Sequence, residues 1–319
     1  MTKKLTETPW RIFTGSGVAG ADDAWKTLPP PPPWRDRAKA IHSFVIEEPL
    51  LDAVNAALHL RRPLLLTGPP GSGKSTLASL IAAELHLGEV LNWHVTSRST
   101  LTDALYHYDA LGRLHATQTA PEGEAVGVDR FVTLGPLGTA LAAADRPRAV
   151  LIDEIDKSDF DLPGDLLNVL DEGEFEVPAL ARDSQPESAT AVTHRVRGAD
   201  RARHAVTNGV VRRTHWPVIV LTSNGERAFP APFLRRCVRF EMPTARESFI
   251  QAVVARHIGH AAVREQDEIR AFAARLVKGE NLALDQLLNF LYLFSGPGGT
   301  DPDVRSRMQA VLLQELNGK

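Results

Sequence analysis

An α/β fold followed by a helical C-terminal region is predicted by three observations on this chain. Short, nearly continuous apolar runs at 64–66, 90–95, 149–152 and 218–221 alternate with stretches of helical periodicity. Strands of that kind are buried on both faces, which calls for a parallel sheet between two layers of helices. Beyond Pro243 the strand-like runs stop, and 245–258, 266–277, 284–294 and 303–316 all carry the helical period. Gly279 and the sequence Gly296-Pro297-Gly298-Gly299 separate the later helices.

The composition narrows the class without naming a function. The chain has 319 residues, 43% apolar and 24% charged, with a net charge of −3. That balance suits a globular protein and gives no overall sign of a nucleic-acid or anionic-membrane partner. Cys237 is the single cysteine, which excludes an intramolecular disulfide and a cysteine metal cluster, and fits a reducing compartment. Residues 1–10 lack the apolar core of a secretion signal. No apolar run approaches the roughly 20 residues that a membrane helix needs. The expectation is a soluble, cytoplasmic protein without a membrane partner.

Taken in order, residues 1–40 form an arm. It carries Gly15, Gly17 and Gly20, then the proline tract 29–33 between Trp25 and Trp34. Proline runs are stiff and extended. With Trp10, Trp25 and Trp34 the arm reads either as a strap lying on the rest of the protein or on a partner, or as a disordered leader. Residues 49–60 place Leu50, Leu51, Val54, Ala57 and Leu58 on one helical face. The apolar run 64–66 then leads into Gly68-Pro69-Pro70-Gly71-Ser72-Gly73-Lys74-Ser75-Thr76. Gly68, Gly73, Lys74 and Ser75 meet the pattern G-x-x-x-x-G-K-[ST]. Glycines let backbone N–H groups wrap a phosphate, and the following helix, 75–85, adds its positive end. Lys74 would reach the β- and γ-phosphates and Ser75 would ligate Mg²⁺.

Three further elements follow the same strand-then-polar plan. The run 149–152 ends in Asp153 and Glu154. Side chains alternate along a strand, so the two carboxylates should diverge at its C-terminal end, where ligands of open α/β sheets bind. Asp153 would hold Mg²⁺ beside Ser75, directly or through water, and Glu154 would act as general base on water. The run 218–221 ends in Thr222-Ser223-Asn224, and Asn224 could position that water. Arg235 and Arg236 stand before Cys237 and the strand-like stretch 238–242. Guanidinium groups there could neutralise charge on a transferred phosphoryl group, or form an ordinary surface pair.

Together these residues resemble the AAA+ ATPases, and within them the MoxR-like, dynein-related group, over residues 41–319. Gly68 to Ser75 looks like Walker A, Asp153-Glu154 like Walker B and Asn224 like sensor 1. Arg236, with Arg235 as the lesser candidate, sits where the arginine finger is found. The resemblance implies a five-stranded α/β core over 41–242, a helical lid over 243–319, ATP and Mg²⁺, and a ring of identical subunits, commonly a hexamer. In such a ring the finger acts on the neighbour's nucleotide. The segment 115–133 looks like a helix-2 insert. Residues 170–177, leading on to 212–216, look like a pre-sensor-1 hairpin that faces a pore. The Trp-flanked strap further resembles MoxR-type ATPases paired with von Willebrand A-domain proteins in bacterial conflict systems. One departure stands out: 278–285 holds no arginine where a sensor 2 is expected, and sensor 2 is left unassigned.

The resemblance implies an ATP hydrolase that remodels a protein partner. A DNA-dependent motor and a nucleotide-gated scaffold with little turnover are the rivals. Arg195, Arg197, Arg201, Arg203, Arg212 and Arg213, opposed by Asp200 alone, could meet an acidic protein segment or nucleic acid, or form a solvated loop. The stretch lacks the aromatic residues that stack on bases. A small-molecule kinase would need an acceptor pocket, whereas the extra length here reads as lid and inserts.

Overall fold

The computed structural model describes residues 12, 13, 15, 17–19, 21–35, 41, 43–121, 126–184, 191–243, 246–259, 265–295 and 302–316. They fall into two compact units: 46–68 with 74–242, and 1–45 with 69–73 and 243–319. Trp10, Gly20, Ala245 and the Gly296-Pro297-Gly298-Gly299 break lie outside the described residues.

The larger unit runs in chain order through α1 (Glu48–Leu60), β1 (Leu64–Thr67), α2 (Lys74–Glu84), β2 (Leu91–His94), α3 (Leu101–Leu105), β3 (Tyr106–Tyr108), α4 (Ala110–Thr119), β4 (Val132–Leu134), α5 (Pro136–Ala142) and β5 (Ala149–Asp153). It continues through α6 (Leu162–Glu172), β6 (Glu174–Glu176), α7 (Pro178–Asp183), β7 (Thr193–Arg197), β8 (Arg203–Thr207), β9 (Val210–Arg212), β10 (Val218–Ser223), α8 (Ala231–Leu234) and β11 (Val238–Glu241). Local chemistry sets the ends of several helices. Pro49 occupies the first turn of α1, where its missing N–H is no loss, and Thr100 and Asp103 form a capping box at α3. Gly173 ends α6 at φ 68°, a conformation that glycine adopts without a Cβ clash.

Five strands form a parallel sheet in the order β11-β1-β10-β5-β2. Leu65, Leu66, Val150, Ile152, Val220 and Leu221 are all buried, as the continuous apolar runs require. This order sets β1, β10 and β5 side by side, so their C-terminal ends open onto one place.

A second sheet, of six strands, runs β3-β4-β7-β8-β9-β6. Here the structure extends the sequence expectation. The first insert begins at Tyr106, ahead of the expected His115, because β3 pairs antiparallel with β4. The expected hairpin is present as β6 against β9, but β7 and β8 intervene in the sequence between its arms and lie beyond β9 in the sheet. The two inserts join where Thr133 pairs with Arg197. Val132, Leu134, Val196, Val206 and Val211 pack inward, while Thr133, Arg195, Arg197, Arg203 and Thr207 are exposed. Arg195, Arg197, Arg203 and Arg212 of the basic stretch therefore lie on strands, which excludes the solvated-loop reading for them.

The smaller unit holds α9 (Glu247–Ile258), α10 (Gln266–Val277), α11 (Leu284–Ser295) and α12 (Pro302–Leu312) around a core that includes Ile250, Val254, Ile269, Phe272, Leu287 and Phe290. The last helix stops four residues short of the expected 316. Instead, Leu316 donates its N–H to Asn281 O (2.8 Å), and Arg275 donates to Leu313 O (2.9 Å). Of the arm, Trp34 lies on these helices: it meets His257 and Tyr292 edge-on at 5.8 and 5.4 Å, and its Nε1 donates to Asn289, whereas Phe13, Val18 and Leu28 before it are exposed. No helix among the described residues is long and apolar enough to cross a membrane.

The turn between β7 and β8 is fastened to the strand entering the parallel sheet. Arg148 donates to Asp200 at 2.6 Å, and His204 lies 3.0 Å from the same carboxylate, whose side chain is 12% exposed. Burial pushes the Asp200 carboxyl up, but the hydrogen bonds from His204 and Arg148 outweigh it, so its pKa falls below the ordinary value. A carboxyl depressed on folding stabilises the fold above its unfolded pKa of about 3.9. The contribution disappears as pH falls through the lower folded value. Asp200→Asn is expected to cost about 3 kcal/mol at neutral pH and to flatten the loss of stability below about pH 4. Thermal melts from neutral to acid pH check both, and an unchanged melting temperature contradicts the assignment.

Candidate active site

The loop after β1 can be built only with glycine at certain points. Gly68 has φ 143°, and a β-carbon there would lie 2.8 Å from Met242 Cβ. Gly71 and Gly73 have φ of 72° and 86°, in the left-handed region that side chains resist. The chain thus coils through Pro69, Pro70 and Ser72 and enters α2 at Lys74, with Ser75 and Thr76 in its first turn. Ser72 Oγ is buried without a hydrogen-bond partner among the described residues.

Lys74 is 6% exposed, and its ammonium donates to Gly68 O (2.7 Å) and Asn224 Oδ1 (3.1 Å). Burial lowers its pKa, opposed by the charges of Asp153, Asp156 and Glu154. Ser75 Oγ donates to Asp153 Oδ1 at 2.9 Å, and Thr222 Oγ1 donates to the same oxygen at 2.5 Å. A serine hydroxyl against a carboxylate is a hard-oxygen pair of the kind Mg²⁺ takes. The orphaned Ser72 hydroxyl, the glycine-walled loop and the buried ammonium likewise fit a phosphate chain.

Glu154 is at the edge of this cluster in an unusual backbone state. The strand ends at Asp153, and Glu154 steps into the left-handed region at φ 60° and ψ 46°. The two carboxylates therefore part because the backbone turns between them, where simple strand alternation was expected. Such a conformation costs about 1–2 kcal/mol for a non-glycine residue. The turn is held by the Glu154 N–H donating to Thr222 Oγ1 (3.0 Å). The Glu154 carboxylate is 2.7 Å from Lys157 Nζ and 3.4 Å from His94 Nε2, and Asn224 Nδ2 donates to it at 3.5 Å. The hydrogen bond to Glu154 raises the Lys157 pKa.

Lys74, Ser75, Asp153, Glu154 and Asn224 are thus gathered by hydrogen bonds at the C-terminal ends of β1, β5 and β10. Arg235 and Arg236 are not brought there. They precede β11, whose first residue donates to Pro63 O at the start of β1 (2.9 Å), so they stand at the other end of the sheet. Arg236 pairs with Asp171 at 3.2 Å.

The sequence reading passed over four contributors. Thr222 bridges Asp153 and Glu154. Asp156 accepts the N–H groups of Asn224 (3.0 Å) and Glu226 (3.1 Å). His94 and Lys157 flank Glu154. A signal existed for Thr222, a polar residue closing an apolar strand, and for Lys157, one helical turn after Glu154. Arg275, close to the missing sensor 2, is held by Glu280 (2.5 Å) within the helical unit.

Residues 63–236 match the AAA domain of the dynein-related subfamily. The chain belongs to this family of AAA+ ATPases. The match spans residues 68–76, Asp153, Glu154, Asn224, Arg235 and Arg236. A search of curated proteins finds no match. Similar solved structures include the RuvB Holliday junction branch migration motor of Thermotoga maritima, at 16% identity and a TM-score of 0.39, covering 84% of this chain and 70% of that one. A mutant of that RuvB gives 14% identity and a TM-score of 0.44, covering 85% and 72%. NtrX of Brucella abortus, solved with ATP, gives 15% identity and a TM-score of 0.44, covering 85% of this chain and 54% of NtrX. TM-scores this low carry nothing about function.

Thr222 tests this AAA+ site. Thr222→Val keeps the shape but removes the donor to Asp153 and the acceptor of the Glu154 N–H. Loss of a charge-assisted hydrogen bond should cost about 1.5–3 kcal/mol, with Thr222→Ser recovering most of it. Chemical denaturation of the three proteins gives the comparison.

Proposed function

We propose that this protein is a MoxR-like AAA+ ATPase that binds MgATP at the interfaces of a homo-oligomeric ring, most simply a hexamer, and uses hydrolysis to remodel a protein partner. One observation carries the reading: the lysine, the Ser75–Asp153 pair, Glu154 and Asn224 are joined by hydrogen bonds around one loop built for phosphate. Lys74 and the amides of residues 68–76 would hold the β- and γ-phosphates. Ser75 and Asp153 would hold Mg²⁺, which when bound neutralises charge across those phosphates. Glu154 takes a proton from the attacking water as its oxygen bonds to the γ-phosphorus and the bond to ADP breaks. Asn224, already within reach of both Lys74 and Glu154, orients that water. Arg236, with Arg235 beside it, would act on the nucleotide of the next subunit.

The single cysteine, Cys237, is buried, and burial raises its thiol to about 12, which suits an inert thiol in the cytoplasm. The partner class we favour is a von Willebrand A-domain protein, on the MoxR resemblance and the Trp34 strap. A DNA-stimulated motor is the second reading, supported by the exposed row Thr133, Arg197 and Arg203 running across three strands. Salt-dependent stimulation of turnover by DNA would favour that reading. A nucleotide-gated scaffold predicts negligible turnover.

Glu154→Gln should keep ATP binding and lower turnover by about 100-fold or more, while Lys74→Ala should lose binding. Arg236→Ala should bind ATP without hydrolysing it at concentrations where the subunits assemble. Equilibrium nucleotide binding and phosphate release measure these, and full turnover in Glu154→Gln or Arg236→Ala removes that residue from its role. A pull-down on Glu154→Gln with ATP identifies the partner and any accompanying nucleic acid.

A further inference from the structure

A basic cavity of about 230 Å³ lies at the end of the parallel sheet remote from the phosphate loop. Arg61, Arg62, Arg236, Asp171 and Trp216 line it, with Pro63 and Pro217 placing it at the N-terminal ends of β1 and β10. Three guanidinium groups face one carboxylate. Asp171 pairs with Arg236, and both are substantially exposed, at 58% and 38%, so the pair is weak and readily exchanged. Neither Arg61 nor Arg62 has an ion-pair partner among the described residues. Arg62 Nη1 donates to Arg235 O at 3.3 Å, tying the cavity floor to the arginine segment. Arg213 stacks over Trp216 at 3.6 Å, which braces that lining ring.

Converging guanidinium groups repel one another unless an anion lies between them, and arginine forks match phosphate oxygens. The volume limits which phosphate compound fits. Pockets that enclose a whole small ligand measure roughly 300–1,000 Å³, so this cavity suits an end group offered from outside. A nucleotide seated in the loop of another subunit offers that end group, its terminal phosphates.

We propose that Arg61 and Arg62 form, with Arg236, the half-site that this chain presents to the terminal phosphates of nucleotide bound by a second copy. The proposal rests on the ring reading above. Arg61 contacts the phosphates; Arg62 does so while fixing the Arg235–Arg236 backbone. When the phosphates arrive, Arg236 exchanges Asp171 for them.

Subunit mixing tests it. An Arg61→Ala/Arg62→Ala chain keeps its own nucleotide loop, so it should bind ATP as the parent protein does but turn over roughly tenfold or more slowly. A Glu154→Gln chain cannot hydrolyse but offers intact arginines. Mixed in equal amounts, the two impaired chains should regain turnover several-fold above either alone. The single Arg61→Ala chain, whose side chain makes no hydrogen bond among the described residues, should show the same complementation with an unchanged melting temperature. Parent-like turnover of the double variant overturns the proposal. So does a failure to complement while Arg236→Ala mixed with Glu154→Gln succeeds, because the ring reading then stands without Arg61 and Arg62. If Arg236→Ala alone is fully active, Arg236 is removed from its role and the shared half-site falls with it. Binding of a fluorescent ATP analogue to Lys74→Ala that vanishes on adding Arg61→Ala/Arg62→Ala would show that the cavity takes free nucleotide, which also overturns it.

Discussion

One carboxylate oxygen organises the site. Asp153 Oδ1 receives hydrogen bonds from Ser75 and Thr222, so three neighbouring parts of the sheet, α2 after β1, the end of β5 and the end of β10, converge on one acceptor. The oxygen is partly buried, where hydrogen bonds to a charged acceptor are strong and an unmatched donor is costly. Thr222 then passes the constraint on by accepting the Glu154 N–H, which holds Glu154 in its left-handed turn. The residue proposed as general base is therefore aimed by the same contact that joins the two groups proposed to hold Mg²⁺.

A second brace keeps the loop of Asn224 against the turn after Asp153. Asp156 accepts N–H groups from Asn224 and Glu226, and Arg227 donates back to the carbonyls of Ser158 (2.6 Å) and Asp159 (3.1 Å). Donors and acceptors run both ways between the two loops, so neither shifts without breaking bonds to the other. Asn224 is fixed through its backbone, and its side chain is left to face Lys74 and Glu154.

The legible parts of the fold and site were those set by local sequence. The three central strands of the parallel sheet, β1, β10 and β5, announced themselves as apolar runs, and the loop after β1 by glycines at positive φ, where other residues are strained. Of the second sheet only the hairpin of β6 and β9 was expected, from the family resemblance; the rest was not legible, because its register joins Thr133 to Arg197 across a long separation that no local pattern encodes. The arginine stretch misled for the same reason: Thr193, Arg195 and Arg197 alternate with buried His194 and Val196, a strand period masked by the density of charge. The parting of Glu154 from Asp153 was expected on a wrong geometric ground, since the turn that separates them is held by Thr222, which is distant in sequence.

The parallel sheet imposes a further constraint on mechanism. Lys74 follows the C-terminal end of β1, while Arg236 and the basic cavity lie at the N-terminal ends of β1 and β10. A strand of this length, at about 3.3 Å per residue, keeps the two groups on the order of 15 Å apart. They therefore cannot meet on one phosphate within one chain. Each end carries cations suited to phosphate, and each lacks what the other supplies: the loop end lacks an external guanidinium, and the arginine end lacks a nucleotide loop. In the ring we propose, two such ends on one rigid sheet would be complementary between copies, head to tail. A heterologous contact of that type repeats until it closes or continues without end. On the ring reading, the distance across one sheet is the reason hydrolysis is a property of the assembly and not of the single chain.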